Sequence, residues 1–233
     1  MPVENSLLAA LPADVRDRLA KWSRVKELAN GEVLQRPGSE ILSVYFPIDC
    51  LISVTVTMAE SQTVEAGIVG SREMVGLNAF MGGRETTQTE YICQFAGTAI
   101  RMPADILLKE FDEIKAVRDV LLKYTQAYIA QLSQNVACNR LHTIMQRLPR
   151  WLLECRDRLQ TDNFAITHEY ISNMLGVRRA GITEAVAVLQ DRGVIDNSRG
   201  SIRITDTPGL QAASCECFQV ILDQYNDLLG LSR

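Results

Sequence analysis

The hydrophobic period of the chain changes from strand-like to helical at Met102-Pro103, and that change demands two architectures in one molecule. Between residues 25 and 102, apolar residues recur at every second position. Ile52, Val54, Val56 and Met58 alternate with Ser53, Thr55 and Thr57, the pattern of a strand with one buried face. Turn signals punctuate this half closely: Asn30-Gly31, Pro37-Gly38, Gly70-Ser71, Gly82-Gly83 and Ala96-Gly97. Many short strands at such spacing predict a jelly-roll-like β-roll. A short helix opened by Leu11-Pro12 precedes it, with Val15, Leu19 and Trp22 on one face. After Met102 the period becomes helical. A short helix (104–111) leads into a long one (114–138), where Val117, Leu121, Tyr124, Tyr128, Leu132 and Asn135 follow spacings of four and three. That is close to a coiled-coil seam. The seam could lie on the β-roll, but about 24 helical residues reach ~36 Å, further than so small a roll extends, so a homodimer is the favoured expectation. A further helix (141–159) is expected to bend at Pro149.

Residues 164–205 carry the functional signal. Thr167 suits the cap of a short helix, with Glu169 in its first turn and Ile171 and Met174 facing inward. Leu175-Gly176-Val177 reads as a tight turn whose glycine takes a positive φ. A second helix (178–191) buries Ile182, Ala185, Val186 and Leu189 and stops at Arg192-Gly193. Val194-Ile195-Asp196, the turn Asn197-Ser198-Arg199-Gly200 and Ser201-Ile202-Arg203-Ile204 then form a two-stranded wing. Helix, turn, longer helix and wing make a winged helix-turn-helix, a DNA-binding unit. Its second helix leads with Arg178 and Arg179, followed by small Ala180 and Gly181, then Thr183 and Glu184. These residues, with Thr167, His168 and Arg199, are the candidate DNA contacts.

Charge supports that placement. The chain has a net charge of −4, unevenly spread. Residues 139–205 hold ten basic residues, all arginine, against seven acids, while the segments on either side are net acidic. Arginine is the side chain best suited to bidentate contact with phosphate or guanine.

The order of β-roll, long helix and winged helix-turn-helix resembles the Crp/Fnr family of bacterial transcription regulators. The run Ile166-Thr167-His168-Glu169-Tyr170-Ile171, then Met174-Leu175-Gly176-Val177, Arg179, Ile182, Leu189 and Gly193-Val194-Ile195 matches that family's DNA-binding signature without a gap. The resemblance implies an α+β chain divided into a cyclic-nucleotide-binding-like sensor (1–113), a dimerisation helix (114–138), a DNA-binding domain (139–206) and a helical extension (207–233). It also implies double-stranded DNA with a two-fold operator, a second copy of the chain and RNA polymerase as partners.

The departures bear on the effector. Cyclic-AMP-responsive members use a Gly-Glu pair for the ribose and an Arg-Ser/Thr pair for the phosphate. Here the matching positions read Gly76-Leu77-Asn78, then Arg84 early, then Thr86-Thr87. The ribose carboxylate and the phosphate arginine are missing from their places. A different small molecule, or none, is expected at Gly76, Leu77, Asn78, Arg84, Thr86 and Thr87. The recognition helix departs too: Ala180 replaces the family's glutamate and Glu184 its second arginine, so the DNA sequence read should differ.

Other chemistries find little footing. No cysteine precedes Cys50 to hold an iron–sulfur cluster, and the two histidines, His142 and His168, lie outside the roll, where haem-bearing members ligate iron. Cys215-x-Cys217 has a spacing that suits a metal or a strained disulfide. It falls on an expected helix (208–229) with no neighbouring Cys or His in the sequence, so it reads as buried thiols, with no cofactor and no metal. No nucleophile–base set or phosphate-cradling loop marks an enzyme. No apolar run approaches the roughly 18 residues of a membrane helix. The start, Met1-Pro2-Val3-Glu4-Asn5, lacks the features of a secretory signal, and six scattered cysteines fit a reduced, cytoplasmic protein. The competing reading is a β-roll interaction module that acts on a protein partner rather than on DNA.

Overall fold

The computed structural model describes residues 5–60, 62–82 and 89–230. Two short helices, α1 (Ser6–Ala9) and α2 (Ala13–Ala20), lead into seven strands: β1 (Arg24–Leu28), β2 (Val33–Gln35), β3 (Ser43–Pro47), β4 (Leu51–Thr57), β5 (Thr63–Val69), β6 (Glu90–Phe95) and β7 (Gly97–Pro103). They pair antiparallel in two sheets, β1-β7-β3 and β2-β6-β4-β5. Ile52, Val54, Val69, Tyr91, Cys93, Ala99 and Tyr45 fill the space between them. The roll is thus a filled core whose interior is mostly apolar. Burial pushes the Cys50 thiol up to about 12 and the Cys93 thiol to about 11, which leaves both unreactive at neutral pH.

Strand β4 departs from the one-sided pattern its alternation predicts. Ser53 and Thr55 are as buried as Ile52 and Val54, whereas Met58 is exposed. The reason is that the outer face of this sheet is covered. Leu51 and Ile68 join a second core built from α5 (Ile144–Leu159) and the C-terminal domain, with Trp151, Phe164, Ile171, Ile182 and Leu189. Gly70 marks how close the layers come, since a Cβ there would lie 2.5 Å from the Cβ of Arg158. Trp22 differs as well: α2 ends before it, and the indole is exposed.

Helix α3 (Ala104–Glu113) precedes α4 (Lys115–Leu141), which runs three residues beyond its expected end. The residues expected to form the dimer seam lie against the protein's own interior. Val117, Leu121 and Tyr124 are fully buried with Leu7, Phe46, Met74 and Leu107, and the Tyr124 hydroxyl donates to the Met74 carbonyl over 2.6 Å. Tyr128 packs against the roll. Asn135 Nδ2 donates to Ala66 O, and Gln131 accepts from the Tyr225 hydroxyl of α9 (Cys217–Leu229). Leu132, half-buried, stands at the margin. The helix instead exposes Leu122, Ile129 and Val136, three apolar residues seven apart. Spacings of four and three mark any buried helical face, and the sequence does not say which neighbour buries it.

Helix α5 continues through Pro149. It carries buried charge: Arg158 grips Glu73 with two hydrogen bonds of 2.9 and 3.1 Å, and Arg150 pairs with Glu154. The expected C-terminal helix is two, α8 (Thr207–Ala213) and α9, with Cys215 in the break.

Candidate nucleic-acid interface

The C-terminal domain places β8 (Asn163–Phe164), α6 (His168–Leu175), α7 (Arg179–Asp191), β9 (Ile195–Ser198) and β10 (Ser201–Ile204) in sequence, with the strands ordered β8-β10-β9. Thr167 caps α6 as its side chain suggests, accepting from the Tyr170 N–H over 3.1 Å. Gly176 ends the helix at φ 62, and the Val177 N–H returns to the Ser172 carbonyl over 3.0 Å. A Cβ on Gly176 would also lie 3.0 Å from Val64 Cγ1, so both the turn and its seat on β5 favour glycine. Arg147, buried beneath this turn, donates to the Leu175 carbonyl over 2.5 Å.

Helix α7 buries Ile182, Ala185, Val186 and Leu189. Its other face holds Arg178, Arg179, Ala180, Thr183 and Glu184, all exposed. Arg178 is the cap residue and makes no side-chain capping bond, so the first-turn N–H groups of α7 have no side-chain acceptor there. Thr167 is exposed beside this face, and Arg199 sits at the wing turn, where Gly200 takes φ 76. All eight sequence-derived DNA candidates therefore belong to α6, α7, their capping positions or the wing turn.

His168 ties these pieces together. Its Nδ1 lies 3.2 Å from Thr183 Oγ1 and its Nε2 3.2 Å from Asn197 Oδ1, so one ring links α6, α7 and β9. Asn197 was not among the sequence candidates. A signal existed: strand alternation puts it on the same side as Ile195, a polar group facing inward.

The arginine count misleads in part. Arg147, Arg150 and Arg158 are buried and partnered within the chain, and Arg203 pairs with Asp196 at 3.2 Å on the wing. Those side chains hold the domain in place. The exposed Arg178, Arg179 and Arg199 carry the part of the charge argument that concerns DNA.

At the expected effector positions, Gly76 adopts φ 98 and a Cβ there would come within 2.9 Å of Val44 Cγ1. Leu77 is buried in the core and Asn78 is half-buried. Gly76 and Leu77 thus serve packing. Arg84, Thr86 and Thr87 lie outside the described residues.

Cys215 and Cys217 are buried free thiols, as the sequence suggests, but their surroundings differ from the expectation. Cys215 and Cys217 are not isolated: the fold brings Cys138 and His142, from the end of α4, against them, and the four ligand atoms lie within 4.8 Å of one another. The sequence hid this because the two pairs are more than 70 residues apart.

A β-roll joined by a long helix to a winged helix-turn-helix defines a class of sensory DNA-binding proteins. Residues 146–213 match the model of the Crp-like helix-turn-helix domain. Solved structures of similar fold include a protein from Eubacterium rectale ATCC 33656 assigned to the Crp/Fnr family of transcriptional regulators, with TM-score 0.68 and 18% identity over 89% of this chain and 96% of that one. FixK2 from Bradyrhizobium japonicum gives TM-score 0.71 and 14% identity over 83% and 98%. A CRP-family transcriptional regulator from Thermus thermophilus gives 0.68 and 15% over 81% and 96%. A comparison with curated protein sequences returns no match. Residues 146–213 form a Crp-like helix-turn-helix domain, and the chain has the architecture of the Crp/Fnr transcription regulators.

Proposed function

We propose that this protein is a sequence-specific transcription regulator that binds a two-fold DNA operator as a homodimer. The observation that carries the reading is the exposed face of α7, where Arg178, Arg179, Ala180, Thr183 and Glu184 stand together at the start of a helix presented by a winged domain. The N-terminal dipole and open N–H groups of that helix favour a phosphate. A Cβ on Gly181 would meet nothing within 4 Å, so internal packing does not call for glycine there. Its smallness suits close approach to a groove floor.

Two copies of the Leu122, Ile129 and Val136 stripe can pair along α4, because intervals of seven keep one helical face in register with a partner helix. Such a pair would set two α7 helices against half-sites about one helical turn apart, ~34–36 Å. The signal path runs through α5. Trp151 Nε1 donates to Glu65 of β5 over 2.7 Å and Arg158 holds Glu73, while the same helix forms the floor of the DNA-binding domain. The β-roll is the sensor in this scheme, for an effector other than cyclic AMP. RNA polymerase is the further partner and the cytoplasm the compartment in this scheme. No helix among the described residues is long and apolar enough to cross a membrane.

Salt dependence tests the reading. Affinity for duplex DNA, followed by fluorescence anisotropy, should fall linearly on a log–log plot against salt. Absence of duplex binding even at low salt, alongside capture of a protein partner by the roll, would favour the interaction-module reading instead.

A further inference from the structure

Four metal-binding side chains meet where α4 ends and the C-terminal extension turns back on it. Cys138 lies in the last turn of α4 and His142 follows its final residue, four positions on and therefore one turn above. Cys215 lies in the break between α8 and α9, and Cys217 is the first residue of α9. The sulfurs of Cys138 and Cys215 are 3.6 Å apart, and the sulfur of Cys217 lies 3.5 Å from His142 Nδ1. We propose that Cys138, His142, Cys215 and Cys217 form a tetrahedral binding site for a single zinc ion.

The dimensions fit that ion. Zinc held at about 2.3 Å from sulfur and about 2.0 Å from nitrogen has sulfur–sulfur edges of about 3.8 Å and sulfur–nitrogen edges of about 3.5 Å. An iron–sulfur cluster would place its own inorganic core between the thiolates and hold them wider. A disulfide between Cys138 and Cys215 would need about 2.05 Å and would leave Cys217 and His142 without a role. Three thiolates and one imidazole are also the donor types that zinc prefers.

The surroundings are built for it. The three sulfurs form a buried cluster of their own, separate from the aliphatic cores on either side. His142 Nε2, the ring nitrogen away from the sulfurs, faces Glu216 Oε2 at 3.5 Å, the carboxylate–histidine–metal arrangement that orients a ligating ring. Gln134 Nε2 donates to the Cys217 sulfur over 3.0 Å. Binding would displace the thiol protons to solvent as the thiolates take up the ion. The ion would staple the C-terminal extension to the junction between α4 and α5, the connection between the long helix and the DNA-binding domain.

Full-length protein, kept reduced, stripped with a chelator and titrated with Co2+, should bind one ion per chain. It should show the ligand-field and thiolate charge-transfer bands of tetrahedral cobalt, and Zn2+ should displace it. Cys217→Ser should weaken Co2+ binding at least tenfold, and Cys138→Ser with Cys217→Ser should abolish the spectrum. If those variants fail to fold, X-ray absorption on the zinc-loaded wild type decides: three sulfurs and one nitrogen around zinc support the site. No tetrahedral cobalt spectrum in the wild type, unchanged uptake in the folded double variant, or a zinc shell of nitrogen and oxygen alone would overturn it. The readout is spectroscopic, so it stands apart from whether the chain binds a duplex.

Discussion

Arg179 and Arg178 are neighbours in sequence with different geometry. Arg179 is the first residue of α7, one turn before Thr183, whose hydroxyl donates to the Arg179 carbonyl over 3.2 Å. In the proposed complex its guanidinium is the one expected to make bidentate contact with a guanine. Arg179→Ala should cost about 1–3 kcal/mol of operator binding and relax preference at one position per half-site. Arg178 precedes the helix, where a phosphate is the natural partner; its removal should weaken all sequences alike and lower the salt slope by about one per half-site. Competition binding against operators mutated at single positions separates the two outcomes, and reversed effects would mean α7 is rotated in the groove. Glu184 accepts only, so it should favour a cytosine amino group or reject a nearby phosphate. Burial raises the Glu65 carboxyl to about 7, against the lowering effect of hydrogen bonds from Ser53 and Trp151. The folded protein therefore holds this proton more tightly than the unfolded chain does. The stability it contributes is present below about pH 4.5 and is lost as pH rises through about 7. Urea unfolding at pH 5 and pH 8 should show a smaller pH difference for Glu65→Gln than for the wild type, by about 1–3 kcal/mol. Equal differences would remove Glu65 from the account.

At the scale of elements, α4 separates two jobs that one hydrophobic pattern blurs. Leu121 and Tyr124 support the fold of a single chain, whereas Leu122, Ile129 and Val136 face outward. Leu122→Glu with Ile129→Glu should give folded monomers with weakened operator binding, whereas Leu121→Ala should cost about 2–5 kcal/mol of stability. Sedimentation and thermal melting distinguish these, and a dimer that survives the double glutamate change would place the two-fold elsewhere. The winged domain was the most legible element, because its signals are local: the cap at Thr167, the glycine turn at Gly176 and the arginines leading α7 each act within a few residues. The partner of each α4 face was not legible, since α9 and the roll reach that helix from distant sequence. Burial of Ser53 and Thr55 was hidden for the same reason, because their cover comes from the second core some hundred residues on.

In the whole molecule, the roll and the winged domain meet through α5 and through the α6 turn seated on β5, contacts that the proposed switch would use. Glu65 of β5 and Glu73 in the turn after it are bound by Trp151 and Arg158, so in the proposed scheme movement of that strand or turn reaches the domain that carries α7. The charge pattern signalled that domain, yet three of its arginines are buried, and of these Arg158 holds Glu73 of the roll. Counting charge along a sequence cannot separate an arginine that binds phosphate from one that binds a buried glutamate; only the fold does. Two copies of α7 are proposed to read one symmetric site. Repeated selection of random duplexes by the purified protein puts this to the test. The account predicts enrichment of a two-fold symmetric sequence whose half-sites lie about one helical turn apart, with preference at one base pair per half-site lost in Arg179→Ala. Failure to enrich any sequence, or enrichment of a single unpaired half-site by a monomer, would contradict it.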